Sequence, residues 1–208
     1  MEAELLNIFD ENKKQVGVAT REEVHRIGHW HEVFHCWFVS REEGRDFIYL
    51  QLRSERKKDY PNLLDITAAG HLLADETVQD GVREIQEEVG IEVAFEEVVP
   101  LGILDYCIVN EKMIDKEFAH IFLYEYDGTF NDFRLQKEEV AGMMRATFDD
   151  FCELWLGTKE EIRVTGFTIN AYEEKTWVDT YVGKNSFVTH DGSYYQHVIR
   201  LIGEQLRK

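Results

Sequence analysis

Residues 77–89, TVQDGVREIQEEV, put two opposed chemistries into one short stretch, and Gly90 stops it. Wound as a helix at about 100° per residue, 82–89 places Val82, Ile85 and Val89 on one side. Glu84, Glu87 and Glu88 fall within an arc of about 100° on the other. The apolar side can pack on a sheet. The acidic side crowds three like charges, which repel about as strongly as favourable i,i+4 pairs attract. A solvated acidic face is one reading of such a cluster. The other is a bound cation: hard carboxylate oxygens suit Mg²⁺ or Mn²⁺ bridging to phosphates.

The remaining pattern supplies the sheet. Residues 4–9 and 15–19 read as a hairpin around DENKK. Thr20 and Glu23 form a capping-box pattern for a short helix through about Arg26, and Gly28 closes it. Strands are expected at 32–40, 47–53, 65–69, 91–96, 100–108, 117–126 and 140–147. Loops are expected at 54–64 and 127–137, a helix from Phe148 to about Leu156, and an amphipathic helix over 192–206 carrying Tyr195, Val198, Ile199 and Ile202. Strands outnumber helices and the two are mixed, which predicts an α+β sandwich with helices flanking a mixed sheet.

Two prolines, no linker and no internal repeat in 208 residues predict a single domain over 1–208, with an N-terminal hairpin and a C-terminal helical extension. A net charge of -18 argues against a nucleic acid polymer as partner, because the phosphate backbone repels acidic surfaces. It leaves room for a small phosphorylated substrate, since a bound metal inverts the local field. Three cysteines without a CxxC pair suggest neither a disulfide framework nor a cysteine zinc site. The N-terminus lacks the cationic and apolar segments of a signal peptide, and no apolar run reaches the roughly 18 residues that span a bilayer. These features predict a soluble cytoplasmic protein without a membrane partner. Nothing in the sequence marks an oligomeric state.

Arg83-Glu84-Ile85-Gln86-Glu87-Glu88-Val89-Gly90-Ile91 resembles the second half of the Nudix box, and all seven constrained positions match. The resemblance implies a Nudix-type α/β/α sandwich, metal ligation by Glu84, Glu87 and Glu88, and an Arg83 that orients a glutamate. The first half departs from the pattern. Gly70 and Glu76 have the expected five residues between them, but six rather than seven separate Glu76 from Arg83. Counting back from Arg83 puts Asp75 and Ala69 at the Glu and Gly positions instead. Either the loop is one residue short or the acid is an aspartate.

Four of the eight histidines, His25, His29, His31 and His35, lie in the eleven residues 25–35. Each alone is more simply a surface or core histidine than a ligand. With YPNLLDITAAGH they resemble the isopentenyl-diphosphate isomerase-like branch of the Nudix superfamily, over about residues 4–157. That likeness implies a second metal site, at His25, His31, His71, Asp115 and Glu117. Three imidazoles and two carboxylates suit Zn²⁺ or Mn²⁺. The isomerases also need a cysteine two residues before the position of His71; here Ala69 stands there, and a methyl group transfers no proton. The Glu87-Glu88 pair, commonly degraded in the isomerases, is intact.

The expectation is therefore hydrolysis of a diphosphate linkage, in a nucleoside diphosphate derivative, with Mg²⁺ or Mn²⁺ polarising the phosphoryl oxygens. An isomerase-like enzyme and a non-catalytic nucleotide-binding protein are the alternatives. The resemblance points to a general base among the box glutamates or at Glu138 or Glu139, of which Glu139 is preferred; a charged turn is the plainer account of either. Gly70 and Arg53 are candidate substrate contacts, though Arg53 is equally a strand-end surface charge. Tyr60 and Trp37 could stack on a base or prenyl group, with core packing the simpler account of Trp37, as of Phe151 and Trp155.

Overall fold

The computed structural model describes residues 4–109, 113–170, 172–190 and 193–208. Its strands are β1 (Leu5–Phe9), β2 (Gln15–Thr20), β3 (Trp30–Glu42), β4 (Arg45–Arg53), β5 (Leu64–Asp65), β6 (Ala68–His71), β7 (Val99–Val109), β8 (Ile114–Glu125), β9 (Val140–Thr147), β10 (Glu161–Ile169) and β11 (Lys175–Gly183). The helices are α1 (Arg21–Ile27), α2 (Arg83–Val89), α3 (Phe148–Leu156) and α4 (Tyr194–Leu206). The strands form one mixed sheet in the order β11-β10-β9-β4-β3-β1-β2; β6 and β8 also pair with β3, and β7 pairs with β8. Among the strand pairings of the described residues, β3–β8 is the parallel one.

Alternation along β3 divides the core into two layers. Val33, Trp37 and Val39 pack with Phe151, Leu154, Tyr195, Val198 and Ile202 on the face covered by α3 and α4. Phe34, Cys36 and Phe38 pack with Ile85 and Val89 of α2 on the opposite face. This is the α/β/α sandwich. Ile85 and Val89 are fully buried, each contributing about 1.5–3 kcal/mol by leaving water, enough to fix which face of α2 turns inward.

The site is positioned by a fork in the sheet. β4 pairs with β3 only from Arg45 to Ile48. Further along, β6 takes the place of β4 and pairs with Val33–Cys36 of β3. β5 meanwhile stays on β4, at Gln51 and Leu52. The single strand expected at 65–69 is thus two short strands, one on each arm of the fork.

Other expectations need correction. The helix expected over 77–89 is shorter: one 3-10 turn at Asp80–Val82 leads into α2. The Asp80 carboxylate accepts from both the N–H and the hydroxyl of Thr77, at 2.8 and 2.7 Å, a side-chain turn in place of helical bonding. The strand at 91–96 is absent; the Glu97 carboxylate takes the Ala94 N–H and a 3-10 turn follows at Phe95–Glu97. Two strands, β10 and β11, were not anticipated. The C-terminal helix starts at Tyr194; Gly192, within the expected span, lies outside the described residues. No helix among the described residues is long and apolar enough to cross a membrane.

Candidate active site

The site begins at Arg83, whose guanidinium is the hub of the β6–α2 loop. Nε and Nη2 grip both oxygens of Glu76, the latter at 2.8 Å. Nη1 reaches Glu84 at 2.6 Å and Glu87 at 3.1 Å, and Nη2 also donates to the His71 carbonyl at 3.1 Å. Glu76 in turn accepts the Leu73 N–H at 2.8 Å. The acid that pairs with Arg83 is therefore Glu76; Asp75 is exposed. The loop is one residue short and still closes, because the arginine is long enough to span it.

The acidic side of α2 is not uniformly exposed. It turns toward β6, where a side chain in place of Gly70 would displace the Glu84 carboxylate from its contact with Arg83. Glu88 is buried at the fork: its Oε2 accepts from Gln51 of β4 at 3.0 Å and from the Ala69 N–H of β6 at 2.9 Å. Only Glu87 is largely exposed. Burial raises the Glu84 carboxyl to about 7, with repulsion from Glu87 adding and Arg83 opposing. Burial raises Glu88 to about 8, with repulsion from Glu84 adding. Arg83 draws Glu84 and Glu87 while the fork holds Glu88, and among the described residues these three do not offer ligand atoms within 4.8 Å of one another.

The histidines gather more tightly, at the far end of β6. The ring centroids of His25, His31 and His71 are 5.1–5.3 Å apart, and each ring can offer a nitrogen within 4.8 Å of the others. His31, Asp115 and Glu117 form a second such group sharing His31. Parallel pairing does this: β3 and β8 run side by side with His31 opposite Glu117 and Trp30 opposite Lys116. α1 brings His25, capped by Thr20 as expected. All five residues named from the sequence thus meet in one place.

The donor set fits a cation. The His31 Nδ1–H donates to the His29 carbonyl at 3.2 Å, which leaves Nε2 bare. That Nε2 is buried without a hydrogen-bond partner, and so is Asp115 Oδ1, 3.6 Å away. Burial holds His31 down at about 4, so a neutral nitrogen lone pair faces a buried carboxylate oxygen. Two acceptors in that position need a positive charge between them. His25 lies 3.4 Å from the same Asp115 oxygen, at ion-pair distance; burial disfavours its charge, but the attraction of the Asp115 carboxylate outweighs burial and raises it. Glu117 is raised well above the carboxylate range by burial and by Asp115, and accepts the Tyr106 hydroxyl.

Other predicted contacts are placed differently. Arg53 donates to the carbonyls of Asp59 and Tyr60 and to Asp65, at 2.9 Å for the last, so it organises the β4–β5 loop rather than facing α2. That loop carries Lys57, which sequence reasoning passed over inside a charged stretch. Lys57 pairs with Glu139, and its field reaches both Glu88 and His71. Glu138 is exposed and pairs with Arg56. Trp37 and Phe151 are fully buried in the core beside α4, and Trp155 packs against them. A polar chain missed from sequence closes the other side of Glu117. His35 contacts Tyr194 of α4 at 2.7 Å, and His190 contacts Asp65 at 3.2 Å.

A sequence model of the NUDIX domain matches residues 15–181. An uncharacterized Nudix hydrolase of Clostridium acetobutylicum is 35% identical over 202 residues, 97% of this chain and 98% of that protein. An isopentenyl-diphosphate Delta-isomerase of Pectobacterium atrosepticum is 27% identical, covering 74% of this chain and 82% of its own. The crystal structure of a Deinococcus radiodurans protein shares the fold with a TM-score of 0.55 at 19% identity, over 70% of this chain and 85% of that one. Fold, box and near full-length kinship agree, and the chain belongs to the Nudix hydrolases.

Proposed function

We propose that this hydrolase cleaves the diphosphate linkage of a small nucleoside diphosphate derivative, with the β4/β6 fork as its reaction site. The observation that carries this reading is the buried Glu88 in that fork. A carboxyl raised by burial beside a second raised carboxyl, Glu84, is poorly placed for a structural ion pair and well placed to receive a divalent cation with its substrate phosphates. Glu84, Glu87 and Glu88 would hold Mg²⁺ or Mn²⁺. His25, His31, His71, Asp115 and Glu117 would hold a second ion, Zn²⁺ or Mn²⁺. Such ions neutralise phosphoryl charge and make water more acidic.

The residues themselves divide the remaining work. Arg83 fixes Glu84 and Glu87 through its grip on Glu76. Gln51 and the Ala69 N–H fix the Glu88 oxygen that both bond. Gly70 leaves the space that the Glu84 carboxylate fills. Lys57, a point charge whose field reaches both clusters, suits a phosphate better than Arg53, whose donors are committed to the loop. Glu139 takes the attacking water's proton once Lys57 leaves it for the substrate. Positioning and electrostatics carry most of such a phosphoryl transfer.

The test is a panel of nucleoside diphosphate derivatives, dinucleotides and prenyl diphosphates with Mg²⁺ and Mn²⁺. Metal-requiring release of a phosphate-bearing product from a nucleotide supports the reading. Turnover of prenyl diphosphates alone, or none across the panel by folded, metal-loaded protein, refutes it.

A further inference from the structure

We propose that His190 is a positioning residue for Lys57: acting through Asp65 and Arg53, it latches the 54–63 loop so that the lysine meets the substrate phosphates. The inference rests on the reading that Lys57 contacts phosphate. The Asp65 carboxylate at the end of β5 is the centre of the latch. Its Oδ2 accepts from Arg53 Nη1 at 2.9 Å, and its Oδ1 accepts from His190 Nε2 at 3.2 Å and from the Ile66 N–H at 2.9 Å. The side chains of Asp65 and His190 are 6% and 7% exposed, so this charge is out of water and depends on its donors. Burial disfavours the Asp65 charge; the His190 hydrogen bond, ahead of the Arg53 charge, outweighs it and holds the carboxyl below its usual range. Among the described residues the other His190 ring nitrogen is buried without a hydrogen-bond partner, so the ring's hydrogen bonding is spent on Asp65.

One end of the latch is the Lys57 loop. While Nη1 holds Asp65, Arg53 Nε and Nη2 hold the carbonyls of Asp59 and Tyr60, at 2.9–3.3 Å. Tyr60 has a φ of 53°, in the left-handed region that residues other than glycine adopt at a cost. Such backbone persists only while its surroundings hold it. The same loop turns Lys57 back onto Ser54, whose carbonyl accepts the Lys57 N–H at 3.2 Å, and sets its ammonium against Glu139. The other end is anchored by the C-terminal segment. The Val188 N–H donates to the Leu64 carbonyl at 2.9 Å, beside Asp65, and the Tyr195 hydroxyl of α4 donates to the Val188 carbonyl at 2.9 Å. His190 lies beyond residues 15–181, the span of the NUDIX match, so this chain holds its Lys57 loop with a residue from outside that span.

The test uses the full chain. Acetylation of Lys57 by N-hydroxysuccinimidyl acetate, read by peptide mass spectrometry, reports the lysine's placement without any ligand. His190→Phe, which keeps a ring and removes the donor, is expected to raise the rate about threefold or more, with exposed Lys14 unchanged. His190→Gln, which returns an N–H near the Nε2 position, is expected to restore the wild-type rate. Binding of methylenediphosphonate with Mg²⁺, followed by calorimetry, reads the consequence. Lys57→Ala is expected to weaken it about tenfold, the worth of one charge-assisted hydrogen bond, and His190→Phe about three- to tenfold. The double variant is expected to bind no more weakly than Lys57→Ala, because both act through one contact. An unchanged Lys57 rate in His190→Phe overturns the latch. So does a double variant whose loss is the product of the two single losses, which marks a general loosening. Should His190→Phe not fold, His190→Asn, whose amide ends short of Asp65, takes its place. Binding that Lys57→Ala leaves unchanged, or that the wild type lacks, overturns the phosphate reading and with it the purpose of the latch, whatever the acetylation shows.

Discussion

Arg83 grips both carboxylate oxygens of Glu76 across a loop one residue shorter than the family pattern, with one contact at 2.8 Å. The same guanidinium holds Glu84 and Glu87, so the position of the acidic face of α2 depends on this pair. Glu76→Gln should lower kcat by about 10–100-fold, the usual cost of losing an orienting partner. Asp75→Asn, at an exposed neighbour, should stay within about twofold. Equal effects of the two substitutions on steady-state turnover would show that the assignment to Glu76 is wrong.

Glu88 and Glu87 should separate by burial. Glu88→Gln keeps an oxygen to accept from Gln51 and the Ala69 N–H but removes the charge. Turnover should fall by at least ~10²-fold, with the melting temperature unchanged or raised at pH 8, since a buried charge is gone. Glu87→Gln should also cost at least ~10²-fold in turnover. Because Glu87 is exposed, its melt should be unchanged at any pH. Loss of activity in either variant that tracks unfolding would remove the basis for a metal-binding role.

The parts of this site visible in the sequence share one physical property: they are local. The α2 glutamates lie within two turns, and the Thr20 cap and the Gly28 and Gly90 stops are nearest-neighbour chemistry. The histidine cluster came from resemblance, since only the β3–β8 register brings His31 to Glu117. What was missed depends on distant chain. Burial of Glu88 requires the fork between β4 and β6, which a single apparent strand at 65–69 hides. Lys57 looks like surface charge until Arg53 ties its loop back toward Asp65. β10 and β11 were overlooked in a stretch where Ile162, Val164 and Phe167 are buried but β11 is largely exposed and dilutes the alternation.

Stability without divalent metal should be level from about pH 4.5 to 6.5 and fall above it. Burial holds His31 at about 4 and His35 at about 3, so both are neutral when folded but charge when unfolded below about 6.5. Their contribution grows with pH and is complete above that value. Glu84 at about 7 and Glu88 at about 8 act oppositely. Folded, they keep protons that the unfolded chain has released above about 4.5, so their contribution falls from there and is fully lost once the pH has passed 7 and 8. Melting temperatures should therefore drop between pH 6.5 and 8.5 and drop less in Glu88→Gln. A flat wild-type profile over that range would contradict the burial of these carboxyls.

The histidine cluster should bind metal independently of the α2 glutamates. His31 and His71 centroids are 5.2 Å apart, and a shared ion with bonds of about 2.0–2.1 Å fits between rings that close. Protein purified without a histidine tag should carry close to one equivalent of Zn²⁺ or Mn²⁺ by elemental analysis. A His31→Ala, His71→Ala double variant should lose it, while Glu87→Gln should keep it. Metal retained by the double variant would place the ion elsewhere.

Isomerisation of isopentenyl diphosphate should be absent. Ala69 stands where the resemblance calls for a cysteine, and its N–H is engaged with Glu88. Glu117 and Tyr106 are bonded to each other on the far side of the histidine cluster. The methyl group of Ala69 can neither give nor take a proton. Among the three cysteines, Cys36 is buried on the α2 face and cannot substitute. The space beyond Glu117 is also occupied, with Tyr194 only 5.2 Å from Tyr106 between ring centroids. Ala69→Cys alone should therefore leave the protein inactive as an isomerase. Its added sulfur, placed next to the Glu88 bond, should instead lower diphosphate hydrolysis. Exchange of solvent deuterium into isopentenyl diphosphate reads the first point directly. Exchange well above the uncatalysed background in the wild type would return the isomerase reading to favour.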